Sequence, residues 1–349
     1  MSIFLSAPPR ARQTAPIGTA RSRASLPLEL AWKWHASIMT VVTLGLVLAS
    51  GSVTRLSGMA EIVLLTVSVA LLGVPHGALD HLIARPHLRP LLRAAWMPVF
   101  LIAYLSGVGL VLLAWQSASV ITLTAFLIVS VYHFGEGDVV ASRYTGTGEL
   151  PLMILWRGLL VIGLPIAHHV GVISHIFAAL LPGILETHLL VVVTEVSRGI
   201  SPLLAVTGLA ALTIALRPAP VDMRRLRLWD AFESLALFAL FWVAPPLVAL
   251  LVYFCGWHSL RHTLHLAAEL GEGDVRAGSR VFLWHALPLT VATLTLAALG
   301  YIFAGGAQIG TEVVLLRIVF YGLSALTLPH MFLLAWSHTH APSGDRSRK

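Results

Sequence analysis

Three histidines and an arginine interrupt an otherwise oily stretch, FCGWHSLRHTLHL (254–266). His258 and His262 are four residues apart, and His265 follows three later. On a helix of 3.6 residues per turn all three share one face. Imidazoles on adjacent turns of an H-x-x-x-H helix can grip one metal ion. His265 lies ~10 Å along the axis from His258, too far to join that grip, and takes an outer or packing role. Three more segments set histidine beside helix-distorting or acidic neighbours: VPHGALDHL (74–82), VYHFGEGD (131–138) and LPHMFLLAWSH (328–338). His76, His133, His258 and His262 fall inside apolar helices, where an uncompensated polar side chain is costly and usually functional. They are the candidate ligands.

The neighbours of these histidines have chemistry of their own. Pro75 lacks an amide hydrogen, so it frees the carbonyl of Leu71 and bends the helix where His76 must turn inward. Asp80, one turn after His76, and Glu136 are placed to hold a ligand ring by its second nitrogen. Asp138 can do the same, but reads first as a solvated helix end. An all-imidazole shell without thiolates suits Fe(II), Cu or Zn, and a single iron with open positions for dioxygen or water is the expected form. Tyr132, Phe134, Phe254, Trp257 and Trp336 flank the ligands and are candidates to line an apolar substrate tunnel. The remaining histidines (His35, His87, His168, His169, His175, His188, His285, His338 and His340) read as ordinary interfacial side chains.

The elements that must position these groups follow from composition. The chain has 349 residues, 57% hydrophobic and only 11% charged, where soluble domains carry about 25% charged residues. Runs such as EIVLLTVSVALLGV (61–74) and TVATLTLAALGYIFA (290–304) approach the roughly 20 residues of a bilayer-spanning helix. No alternating barrel pattern is present, so the fold class is all-α, a polytopic transmembrane bundle of about ten helices. The expected crossings are 34–52, 61–83, 96–115, 118–135, 152–168, 195–216, 229–245, 247–268, 281–304 and 312–336. Between the fifth and sixth, residues 169–198 suggest an interfacial or re-entrant helix. A basic tail (1–30) and a short C-terminal tail (341–349) flank a single membrane domain, 31–340.

Positive charge sets the sides. Lys+Arg number 23 against 16 Asp+Glu, and the basic segments (the N-terminus, 85–93, 217–228 and the C-terminus) fall on one face of the bundle, expected to be cytoplasmic. In this topology every histidine cluster lies toward that same end. Topology, not nucleic acid, accounts for the charge. The lone Cys255 excludes an internal disulfide and a cysteine-rich metal site.

PHGALDH (75–81), YHFGEGD (132–138), WHSLRHTL (257–264) and the late PH at 329–330 resemble the Brp/Blh family of membrane β-carotene 15,15′-dioxygenases. The likeness extends over roughly residues 35 to 340. It implies an enzyme of the bacterial inner membrane that uses Fe(II) and dioxygen to cleave the central double bond of β-carotene or a related carotenoid into two retinal molecules, supplying rhodopsins. The family's ligands fall on His76, His133, His258 and His262; Asp80 and His81 belong to the first motif in an outer position, and His330 of the late PH is a reserve ligand. Such an enzyme would open sideways into membrane lipid, where its substrate resides. Rival readings are a membrane desaturase or hydroxylase binding two metals, a metal transporter, and a b-type cytochrome. The transporter wants polar groups on both sides of the midplane, and adjacent-turn histidines are a poor haem clamp.

Overall fold

The computed structural model describes residues 27–49, 58–140, 143–144, 146–303 and 310–339. The expected tails lie outside these residues, apart from the start of the first helix, and so does His340. Helices are α1 (Leu28–Leu48), α2 (58–77), α3 (Asp80–Leu92), α4 (Trp96–Ser117), α5 (Ser119–Asp138), α6 (Glu149–His168) and α7 (Val170–Leu180). They continue with α8 (Glu186–Leu216), α9 (Val221–Val243), α10 (246–270), α11 (Val275–Phe303) and α12 (Thr311–Thr339). Among the described residues no strand occurs, only an isolated bridge between Pro27 and Asp274.

In lipid each backbone polar group must be satisfied within its own segment, so apolar runs of this length become helices. Scattered hydroxyls are absorbed the same way. Thr66 donates to the Ile62 carbonyl at 2.7 Å, Ser174 to Val170 at 2.8 Å and Thr207 to Leu203 at 2.7 Å. The outer surface is apolar: Leu105, Leu113, Ile121, Ile128, Leu209 and Leu296 are all more than half exposed. A soluble protein does not show so wide an apolar surface, and the chain is an integral membrane protein.

Seven stretches among the described residues are long and apolar enough to cross a bilayer by length and composition. One of them, Gly58–Ser117, contains two of the ten expected crossings. The expected crossings at 229–245 and 247–268 are helical but do not qualify. The first turns of α9 carry Asp222, Arg224, Arg225 and Arg227, and the second half of α10 carries His258, Arg261, His262 and His265, which lower its hydropathy. The ambiguous stretch after residue 168 forms the short apolar helix α7. The main core gathers Trp115, Leu160, Leu180, Leu240, Tyr253 and Trp257, all nearly inaccessible. It lies between α10 and the helices around it, and from that core the histidines of α10 project.

Candidate metal centre

Two irregular turns aim the first ligands. Within α2 a five-residue π turn, Val69–Gly73, lets the Val74 amide reach the Val69 carbonyl. Pro75 has no amide hydrogen for the regular ladder, and the wider turn accommodates the missing bond. His76 follows at once, its Nδ1–H donating to the Gly73 carbonyl at 2.5 Å. That bond leaves Nε2 free to face inward. In α10 an eight-residue π segment, Val252–Ser259, carries His258, and His262 follows in regular helix. The two turns pack closely: a Cβ on Gly73 would come within 2.6 Å of the Phe254 ring.

Nitrogen atoms of His76, His133 and His258 lie within 4.8 Å of one another. The His262 ring is 5.6 Å from that of His76, and the His330 ring 5.5 Å from that of His133. Four helices, α2, α5, α10 and α12, thus bring five imidazoles together. These are the four candidate ligands and the reserve. His258 and His330 are buried, and His76, His133 and His262 are half-buried.

Carboxylates hold the rings from behind. Asp80 pairs with His330, not with His76: Nδ1–H donates to Oδ1 at 2.7 Å, and the Tyr104 hydroxyl donates to Oδ2 at 2.8 Å. Asp138 stands 3.5 Å from Nδ1 of His258 and accepts the Tyr253 hydroxyl at 2.9 Å. Its position is buried, whereas Glu136 is half-exposed and makes no hydrogen bond to a cluster histidine among the described residues. Gly135 and Gly137 are required by the same geometry. A Cβ on Gly135 would collide with the Ile154 carbonyl of α6 at 2.0 Å, and one on Gly137 would meet His258 Cε1 at 2.8 Å.

Behind Asp138 runs a buried ion network. Arg157 donates to Glu233 at 3.0 Å and to Ser234 at 3.2 Å, and Arg261 donates to both Glu233 oxygens at 3.1 and 3.2 Å. Arg157 and Glu233 are only 3% and 4% exposed, so neither charge is solvated by water. Neither residue stands out in the histidine motifs. The signal for them is an ionisable residue inside an apolar run, LMILWRGLLVIG and DAFESLALFAL.

The other expected site residues divide. Phe134 and Phe254 touch the cluster, with ring centroids 5.1 Å from His258 and 5.8 Å from His76 respectively. Tyr132 is exposed on the outer face of α5. Trp257 is buried against α1, donating to Thr43 at 2.9 Å, and Trp336 packs on His87 at 5.3 Å. His81 stacks on His285 at 6.2 Å, and His265 lies between Trp32 and Glu269, so neither joins the cluster.

The donor set is chemically coherent with a divalent transition metal. Several neutral imidazoles converge with no thiolate, and three of them have the second nitrogen turned to a carbonyl or carboxylate, the usual outer support of a metal-bound histidine.

The family described as beta-carotene 15,15′-dioxygenase matches residues 67–338. A beta-carotene 15,15′-dioxygenase from uncultured marine bacterium 66A03 is 28% identical over 270 residues, 76% of this chain and 90% of that protein. A probable beta-carotene 15,15′-dioxygenase Blh from Halobacterium salinarum is 28% identical over 311 residues, 80% of this chain and 85% of that protein. No solved structure matches the chain.

Proposed function

The chain belongs to the β-carotene 15,15′-dioxygenase family, and from that premise we propose that it cleaves the central double bond of β-carotene with dioxygen, giving two molecules of retinal. The overall change balances without a reductant, since each half of the polyene takes one oxygen atom. The observation that carries the reading is the convergence of imidazoles from four helices inside a lipid-facing bundle. His76, His133, His258 and His262 would hold one Fe(II), and His330, fixed by Asp80 and Tyr104, is in place as a further ligand. Bound there, the iron supplies dioxygen activation.

The protein's own part is orientation and exclusion of water. Gly73, Asp80 and Asp138 hold the rings of His76, His330 and His258, so those three imidazoles are oriented before the metal arrives. Phe134 and Phe254 give the cluster an apolar wall against which the middle of a polyene can lie. A hydrocarbon substrate offers no polar handle, so the site of cleavage is set by which carbons this wall presents to the imidazole side. The substrate reaches the site from the bilayer, in the cytoplasmic membrane, with both chain termini and the histidine-bearing end on the cytoplasmic side as the arginine-rich loops indicate.

The test is to express the chain in β-carotene-producing bacteria beside a His262→Ala variant and extract the pigments. Loss of orange colour with retinal formed only by the unaltered chain is expected. Persistent β-carotene in cells whose membranes hold folded, metal-loaded protein would contradict the substrate.

A further inference from the structure

Away from the histidines, α6, α8 and α9 enclose an apolar cavity of about 430 Å³, a volume ordinary for a small-molecule site. Met153, Trp156, Leu212, Ala231, Leu235 and Phe238 are among its walls, and no cluster histidine lines it. Tyr144 and Arg227 mark one end. There α8 gives way to α9 across residues 217–220, so this end opens at a membrane surface.

Arg143, Arg217 and Arg227 gather at that mouth with Glu149 and Asp230, while Arg224 and Arg225, nearer the start of α9 and next to Asp222, line a separate shallow hollow with Val221, Leu228 and Trp229. Three of the arginines are satisfied internally. Arg227 and Arg217 donate to Glu149 at 3.1 and 2.9 Å, and Arg143 pairs with Asp230, which also accepts the Tyr144 hydroxyl at 2.8 Å. Arg224 and Arg225 are exposed and make no ion pair among the described residues. Arg224 precedes Arg227 by three residues, so the hollow begins one helical turn from the mouth of the cavity. Trp229 lines the same hollow, 42% exposed, with its indole N–H donating to Glu233 at 3.0 Å.

The occupant must be apolar along its length and anionic at its end. An uncharged polyene would leave the arginines uncovered, and free phosphate would leave the cavity unfilled. We propose that this is a binding site for an anionic glycerophospholipid, with an acyl chain in the cavity and the phosphate on Arg224 and Arg225. The inference is independent of the metal centre and of the reaction assigned to it.

Native mass spectrometry of the delipidated chain in detergent, titrated with phosphatidylglycerol or phosphatidylcholine, tests it. Phosphatidylglycerol should bind more tightly. The double substitution Arg224→Gln/Arg225→Gln should weaken it about fivefold for each arginine removed while sparing phosphatidylcholine. Ala231→Phe, which fills the cavity, should weaken both lipids; the arginine variant, altered only at exposed positions, carries the test even if Ala231→Phe fails to fold. Equal binding of the two lipids, a preference that survives the arginine substitutions, or displacement of phosphatidylglycerol by a carotenoid would each overturn the proposal.

Discussion

Residues 69–77 and 159–168 share one backbone device. Each is a five-residue π turn ending in glycine, followed by one apolar residue and a proline that opens a last short turn of helix. Histidine follows in both. In the first, His76 turns into a group of imidazoles supplied by α5, α10 and α12. In the second, His168 stacks on Trp242 at 3.7 Å and His169 donates its Nε2–H to the Phe241 carbonyl at 3.0 Å. Proline and the π turn aim a side chain inward, but they do not make a site. What differs is the company: carboxylates and imidazoles on the helices facing residue 76, aromatic rings and a backbone carbonyl around residues 168 and 169.

If that contrast is right, its two halves should respond differently to matched substitutions. His76→Ala should reduce retinal formation by more than about 100-fold, beyond the effect of an outer-sphere partner, while His168→Ala leaves it unchanged; pigment extraction from β-carotene-producing cells measures both. Asp80→Asn removes the charge behind His330 and should weaken iron binding about 10- to 100-fold, read by titrating the apo-protein with Fe(II). Gly137→Ala pushes a methyl toward the His258 ring and should weaken iron binding about tenfold. Gly171→Ala, after the second turn, has nothing within 4 Å of its new methyl and should bind iron as the parent does. The smallest effect belongs to the prolines. Pro75→Ala lets α2 recover its regular ladder and should weaken iron binding modestly, whereas Pro165→Ala should change only thermal stability, by about 1 kcal/mol.

Much of the cluster was legible in the chain. The H-x-x-x-H spacing and two of the three Pro-His pairs, 75–76 and 329–330, mark residues whose polarity an apolar helix would not tolerate idly, and the loop charges put them at one depth. Which carboxylate serves which ring was not legible, because that depends on contacts across the fold. Asp80 is one turn from His76 yet pairs with His330, 250 residues away. Asp138 follows two glycines and does end its helix, but that end is buried rather than solvated, because Tyr253, fully buried, closes over it. The number of crossings was blurred for a related reason. The ionic residues of α9 lower its hydropathy, and their partners on α6 and α10 are visible only once the helices are packed.

The measurement that bears most directly on the account is the iron content per chain of the purified protein, taken for the parent, His76→Ala and His168→Ala. The account predicts one iron in the parent and in His168→Ala, and almost none in His76→Ala. Two metals per chain, or iron retained in full by His76→Ala, would contradict it.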